Sequence, residues 1–361
     1  MAALDTVQQL VEQYDRENML QSIRDFPDQV VDAWERFAAF VLPTHYIQVK
    51  EVIILGVGAS AVAAVISARF AAQESRIPII LHTTNELPEH VDDRSLVIAL
   101  SYTGTTEEVV SAFREAARRG AKLLGISTGG EIGALCRKHR APHFQIQYGA
   151  QPRAAFGYLF IPLLATLHRL AFISKGVEHD LSEAVAALHE VQESVELTVP
   201  TLQNPAKQLA ERMSSAFPII VSSQRLAPIA LRWKQQCNQN AKHLVAVEQV
   251  PNLTHTAAAG LDYPKTIRPH LLFLYLRSGH DSAQEAFQQN LFQGILRQNK
   301  LESAELVAKP QGSLLTEFLV LTHWADYVSF YLALMNGVDP TPVPHIMALR
   351  EQETAARGML R

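Results

Sequence analysis

The chain opens on amphipathic periodicity. Apolar positions recur at spacings of three and four through Val7, Leu10, Val11 and Tyr14, and again through Val30, Val31, Trp34 and Phe37. This pattern predicts helix over residues 3–42, an arm packed on the following domain or on a partner subunit. From Ile47 the pattern changes. Short continuous apolar runs predict strands at 52–55, 79–82, 96–100, 122–126 and 143–146, with helices at 61–73, 106–119 and 132–138. A long apolar helix is expected over 153–173. Unbroken apolar strands with helical crossovers imply a parallel sheet covered on both faces.

Residues 176–203 read as one or two linking helices, with Pro200 and Pro205 as punctuation. The alternation then restarts. Strands are predicted at 218–222, near 244–248, at 271–276 and at 305–308, and helices at 228–241, 282–297 and 314–335. A proline-stiffened stretch from Val338 to Pro344 precedes a short helix from about His345. The expected fold class is α/β: two tandem doubly wound parallel-sheet domains of three layers, flavodoxin- or Rossmann-like, with an N-terminal helical arm. The expected division is 1–175 for the arm and first domain, and 176–361 for the linking helices, second domain and C-terminal helix.

Composition narrows the partners. A chain of 361 residues is long enough for two cores. A formal charge of −4 without a basic cluster argues against nucleic acid and anionic membranes. Two cysteines, Cys136 and Cys237, make no disulfide framework and suit a reducing compartment. The N-terminus lacks signal-peptide regions, and no apolar run approaches the roughly 18–20 residues of a membrane span. The cytoplasm is the expected location.

Two loops carry the candidate chemistry: Gly56-Val57-Gly58-Ala59-Ser60 and Ser101-Tyr102-Thr103-Gly104-Thr105-Thr106. Each follows a predicted buried strand and opens a helix. Glycine admits close backbone approach, free N–H groups point outward, and the helix dipole favours an anion. The pair therefore suits a phosphate held by the hydroxyls of Ser60, Ser101, Thr103 and Thr106, with the Gly58 and Ala59 backbone near the ligand. No Gly-Lys-Ser/Thr follows, so neither loop is a Walker loop. Gly56, Gly58 and Ala61 also fit the dinucleotide fingerprint, but the next strand ends His82-Thr83-Thr84-Asn85 without the acidic residue a ribose needs. A cap explains one hydroxyl, not all four. Ser127-Thr128-Gly129-Gly130 is a third such loop, readable as a plain helix entry.

Arg153 stands at the head of an apolar helix, where ligand contact and an ion pair both satisfy its charge. His255 could move protons near neutral pH, although a lone loop histidine is more often a bystander. The 14 histidines show no metal-ligand spacing, so no metal site is expected. No cofactor is expected either.

These residues together resemble the sugar isomerase (SIS) fold, and more closely the bifunctional phosphoglucose/phosphomannose isomerases. Ser101-Tyr102-Thr103-Gly104-Thr105-Thr106-Glu107-Glu108 looks like that family's S-Y-S-G-N-T-x-E loop. Pro152-Arg153-Ala154-Ala155 is a second match. Asn238-Gln239-Asn240-Ala241-Lys242 with a downstream histidine looks like N-E-N-x-K…H-N. Asp339-Pro340…Pro342-Val343…Ile346…Leu349 is a further one. The resemblance implies aldose–ketose isomerisation of hexose 6-phosphates through a cis-enediol, without metal. It implies that Ser60, Ser101, Thr103 and Thr106 hold the phosphate and that Arg153 stabilises the enediolate. It also implies a homodimer in which His255 assists ring opening in the neighbouring subunit's site. Four positions depart from the pattern. Ala59 adds a methyl group in the first loop, where the family usually has glycine. Gln239 stands where the family has its catalytic glutamate, and an amide does not accept the proton. Arg350 stands at a lysine position, keeping charge but not proton delivery. Thr256 replaces the asparagine after the histidine. If another carboxylate acts as the base, Glu248 and Asp262 lie in the right half of the chain. The expected function is a hexose 6-phosphate isomerase; the alternative is a phosphosugar-binding or regulatory protein without turnover.

Overall fold

The computed structural model describes residues 4–174, 176–308 and 312–359. The arm is three helices: α1 (Leu4–Tyr14), α2 (Met19–Arg24) and α3 (Phe26–Ala38). Ala3, part of the predicted span, lies outside the described residues. Asp15 ends the first helix and caps the second, accepting hydrogen bonds from the N–H groups of Met19 at 2.6 Å and Leu20 at 3.0 Å. Pro27 sits in the first turn of α3, where its missing N–H costs no helical bond.

The first sheet has five parallel strands: β1 (Glu51–Leu55), β2 (Ile79–His82), β3 (Ser95–Leu100), β4 (Lys122–Ser127) and β5 (His143–Gln145). Their order is β2-β1-β3-β4-β5. Helices α4 (Ala59–Ala71), α5 (Glu107–Arg118) and α6 (Gly130–His139) follow β1, β3 and β4. Every residue of β1 and β3 is buried, which is why both read as unbroken apolar runs. The chain leaves β1 toward one edge and starts β3 on the other side. The strand order therefore reverses between these two neighbours. Leu55 pairs with Ala99, so both strands end at one height.

Beyond α7 (Phe156–Arg169), α8 (Val177–Val195) and α9 (Pro205–Ser214) the plan repeats. The order is β6 (Phe217–Ser222), α10 (Ala227–Asn240), β7 (Ala246–Gln249), α11 (Asn252–His255), β8 (Leu271–Arg277), α12 (Ala283–Gln298), β9 (Glu302–Val307), α13 (Leu314–Met335) and α14 (Pro344–Met359). Four parallel strands run β7-β6-β8-β9, with the same reversal between β6 and β8. The α/β, two-sheet fold class is as expected.

Four expectations are corrected. Pro205 starts a helix instead of separating elements: it is the first residue of α9, behind the Asn204 cap. Arg153 lies in a 3-10 turn over Pro152–Ala154, and the α-helix begins only at Phe156. β9 starts three residues early, because Ala304 is the one buried residue of this edge strand and Glu302, Ser303 and Glu305 hide its length among polar residues. The fourth concerns α13. With 22 residues and a hydropathy of 1.3 it is long and apolar enough to cross a membrane, yet 89% of that window is buried within the protein. It packs on α8, α9 and α10 and is a central core helix.

One hydrophobic cluster joins the two halves. It contains Val52 and Ile54 of the first sheet, Ile220 and Leu274 of the second, and Leu159, Trp233 and Leu321 of the helices between. The arm bridges both halves, with α3 on α7 and α2 on α13.

His323 sits in this shared layer with no exposed surface, against the rings of Phe26 and Tyr327 at 5.4 and 5.0 Å. Burial, and then His189, push its pKa down from 6.5 to about 3. Between those values the unfolded chain binds a proton that the folded chain refuses. Its contribution is therefore complete above pH 6.5 and drains away as pH falls toward 3. The melting temperature of His323→Phe is expected to fall less than that of the parent between pH 7 and pH 4. Parallel declines in thermal melts would refute this.

Candidate active site

The two glycine and hydroxyl loops meet at the strand reversal. One follows β1 and the other follows β3, at the same edge of adjacent parallel strands. Open α/β sheets bind ligands at this crevice. Gly58 takes φ 63° and ψ −124°, a conformation closed to other residues, and turns the chain into α4. Ser60 and Ala59 then lie buried in the first turn. Neither α4 nor α5 has a side-chain cap at its N-terminus. Thr106 holds the cap position of α5, but its hydroxyl pairs with Ser101 Oγ at 2.9 Å instead. Thr103 Oγ1 pairs with Thr105 Oγ1 at 2.9 Å. The capping explanation therefore fails for Thr106. Two hydroxyl pairs and two helix N-termini remain for an anion, and a hydroxyl rotates to donate without moving its oxygen.

The third loop supports the second. Ser127 Oγ bonds the Gly129 carbonyl and His143 Nε2 at 2.9 and 2.8 Å, so it is engaged within its own loop and strand. Ile132 N–H donates to the Gly104 carbonyl at 3.0 Å, and Thr128 N–H to the Tyr102 carbonyl at 2.8 Å. A methyl group on Gly104 would overlap the Gly129 carbonyl oxygen. The loops thus touch backbone to backbone.

Arg153 is 3% exposed. Its Nε donates to Asn240 Oδ1 at 2.6 Å, and its Nη2 to the carbonyls of Pro340 and Thr341, both at 2.7 Å. It joins the first half to α10 and to the segment after α13. Burial, and then the neighbouring Arg232, lower its pKa to about 10, leaving it charged at neutral pH. Arg232 is itself fully buried and pairs with Asp326 at 2.8 Å, while its Nη2 also donates to the Arg153 carbonyl at 2.7 Å. Gln236 donates to the same Asp326 oxygen at 2.6 Å.

Gln239 lies two turns beyond Arg232, half-buried in the wall of a cavity of about 360 Å³. One face of α10 supplies Leu231, Lys234, Gln235, Asn238 and Gln239, with Lys242 just beyond. Val62 of α4 lines it opposite, one turn from the phosphate loop, and residues 343–346 close it. This lining contains no carboxylate. Neither Glu248 on β7 nor Asp262 belongs to it; Asp262 lines a separate cavity with Lys265, Arg268 and Lys300.

His255 and Arg350 are not brought to this cavity. Arg350 is exposed on α14. His255 is exposed on α11. Gln239 ends α10 before β7 begins, and His255 follows after β7 ends. The two therefore lie at opposite edges of the second sheet, separated by about 13 Å of strand rise. Pattern reading missed Arg232, Asp326 and Lys242 as site-forming groups. The signal for the first two was available: each is a lone charge inside an otherwise apolar or buried helix face.

Residues 45–171 match the SIS domain family, and residues 202–352 match the bacterial phospho-glucose isomerase C-terminal SIS domain. A bifunctional phosphoglucose/phosphomannose isomerase of Caldicellulosiruptor bescii is 32% identical over 335 residues, covering 92% of this chain and 98% of the relative. This chain belongs to the bifunctional phosphoglucose/phosphomannose isomerase family. The Aquifex aeolicus protein of the same name is 28% identical, over 88% of this chain and 93% of its own. Among solved structures, the C-terminal domain of glucosamine-fructose-6-phosphate aminotransferase from Francisella tularensis superposes with a TM-score of 0.71 at 15% identity. That match covers 91% of this chain and 98% of that one, and shows the shared fold. Family membership thus rests on both halves of the chain, each carrying its own SIS domain.

Gly104→Ala combines the overlap with Gly129 and a residue held at φ 70°. It is expected to cost about 2 kcal/mol or more of stability and to raise hydrogen exchange across 101–106 and 127–132. Unchanged exchange in both segments would show that the two loops are not mutually supported.

Proposed function

We propose that this chain interconverts glucose 6-phosphate or mannose 6-phosphate with fructose 6-phosphate through a cis-enediol. The observation that carries the proposal is the pair of uncapped, hydroxyl-bearing loops at the β1/β3 reversal, one turn of α4 from the Gln239 cavity. In this reading Ser60, Ser101, Thr103 and Thr106 hold the phosphate. The Gly58 and Ala59 backbone packs beside it. Arg153 presents positive charge to the developing enediolate. His255 serves the site of a partner subunit, which its place across the second sheet from Gln239 supports. Arg350 keeps positive charge at the family's lysine position on α14, outside the lining of this cavity. The proton acceptor is not Gln239, because an amide is not a base at neutral pH. The buried, free cysteines suit the cytoplasm.

The amide at 239 also favours a second reading, in which the chain binds hexose phosphate without turning it over. Fructose 6-phosphate with the whole protein in D2O separates the two by proton NMR. Glucose or mannose 6-phosphate deuterated at C2 supports the isomerase. Binding without exchange supports the second reading, which a gain of exchange in Gln239→Glu would strengthen. Absence of binding overturns both.

The phosphate assignment has its own test. Each hydroxyl–phosphate bond contributes roughly 1.5–3 kcal/mol. Thr103→Val with Thr106→Val is therefore expected to weaken fructose 6-phosphate binding by about 100-fold or more. An unchanged Kd in calorimetry removes these loops from the site.

A further inference from the structure

Lys242 follows α10 at φ 53°, a left-handed conformation uncommon outside glycine. Its side chain lines the same cavity as Gln239, although the residue as a whole is exposed. Its Nζ donates to two main-chain carbonyls, those of Asn240 at 3.1 Å and of Asp339. Among the described residues it forms no ion pair. Both protonation states can donate to these two carbonyls; once neutral, the amine has its two N–H groups engaged there and its lone pair free.

The surroundings act the same way. Burial, and then the Arg153 guanidinium from the 152–154 turn, push the Lys242 pKa down to about 8. Asp339, from the segment after α13, opposes them. Its carboxylate accepts from Thr341 N–H at 2.9 Å, and only its carbonyl meets the amine. The other titratable groups of the cavity wall are Lys234 and the exposed His345, both without negative charge. A carbon acid in this cavity therefore meets no carboxylate in its lining and, above about pH 8, an uncharged amine.

We propose that Lys242 carries the proton between C2 and C1 of the bound hexose phosphate, in the role a carboxylate at position 239 would otherwise take. This rests on the isomerase reading above. The amine takes the proton from C2 of the aldose. The C–H electron pair becomes the C1=C2 bond, and the carbonyl π pair moves onto O1, next to Arg153. The O2 proton passes to O1 and the ammonium returns its proton to C1. The ketose forms, and the amine is neutral again. Nothing is oxidised or consumed overall.

The test is deuterium exchange from D2O into fructose 6-phosphate, catalysed by the full chain between pH 6 and pH 10. The parent rate is expected to rise through a limb near pH 8. Lys242→Met is expected to lose about 100-fold or more in exchange while binding fructose 6-phosphate within threefold of the parent. Lys242→Arg keeps the charge and is expected not to rescue. Gln239→Glu in the Lys242→Met background is expected to restore exchange, with the limb below pH 7. A parent limb already below pH 7 overturns the lysine's role without any variant. So does a folded Lys242→Met or Lys242→Arg that exchanges at the parent rate; either result leaves the isomerase reading standing. A parent that binds the sugar and exchanges nothing across the range overturns both.

Discussion

A guanidinium and a carboxylate sealed from water hold the centre of this molecule. Arg232 of α10 and Asp326 of α13 sit 2.8 Å apart with almost no exposed surface. A buried pair of this kind adds little net stability, but removing one partner strands a charge at a cost of about 3–5 kcal/mol. That is a large share of a domain's total. The two helices are therefore locked in register. Arg232 also holds the Arg153 carbonyl, and Arg153 in turn grips Asn240 and the segment before α14. The position of α10 against the first sheet follows from these contacts. So does the cavity that its last two turns line.

Around this joint the two sheets share one apolar layer and divide the labour unequally. The first sheet reverses strand order between two loops rich in glycine and hydroxyls. The second reverses at β6 and β8, where the corresponding loops carry Arg277, Asp281 and Glu317 contacts instead. Glu317, in the first turn of α13, is engaged by the loop after β8, accepting from Ser278 Oγ and from the Gly279 N–H at 2.7 Å. What the second half contributes is the α10 face.

Most of the fold was legible because its strands are buried on both faces. Continuous runs such as 52–55 and 96–100 leave few alternatives once helices separate them. The misreadings have local causes. Proline at the head of α9 looks like a stop unless the cap before it is recognised. The edge strand β9 hides among polar residues. The candidate site was half legible. Glycine and hydroxyl spacing announces a phosphate loop within a few neighbouring residues. The Arg232–Asp326 pair spans 94 positions, and no local pattern reports a contact of that range. Lys242 was quoted within a motif, but its amine also meets the Asp339 carbonyl, which only the folded chain brings to it.

The placement of Gln239 and His255 at opposite edges of one sheet has a consequence for regulation by concentration. On the proposed reading, in which a partner's His255 completes the Gln239 cavity, the site is a bimolecular object, even though one gene encodes all of it. The specific activity of such a site would fall on dilution below the dissociation constant of the pair, while each chain stays folded. Two inactive variants, one altered at the cavity and one at the histidine, would regain a fraction of sites on mixing. The sheet works here as a spacer. Within one chain it holds the two residues apart by about 13 Å of strand rise.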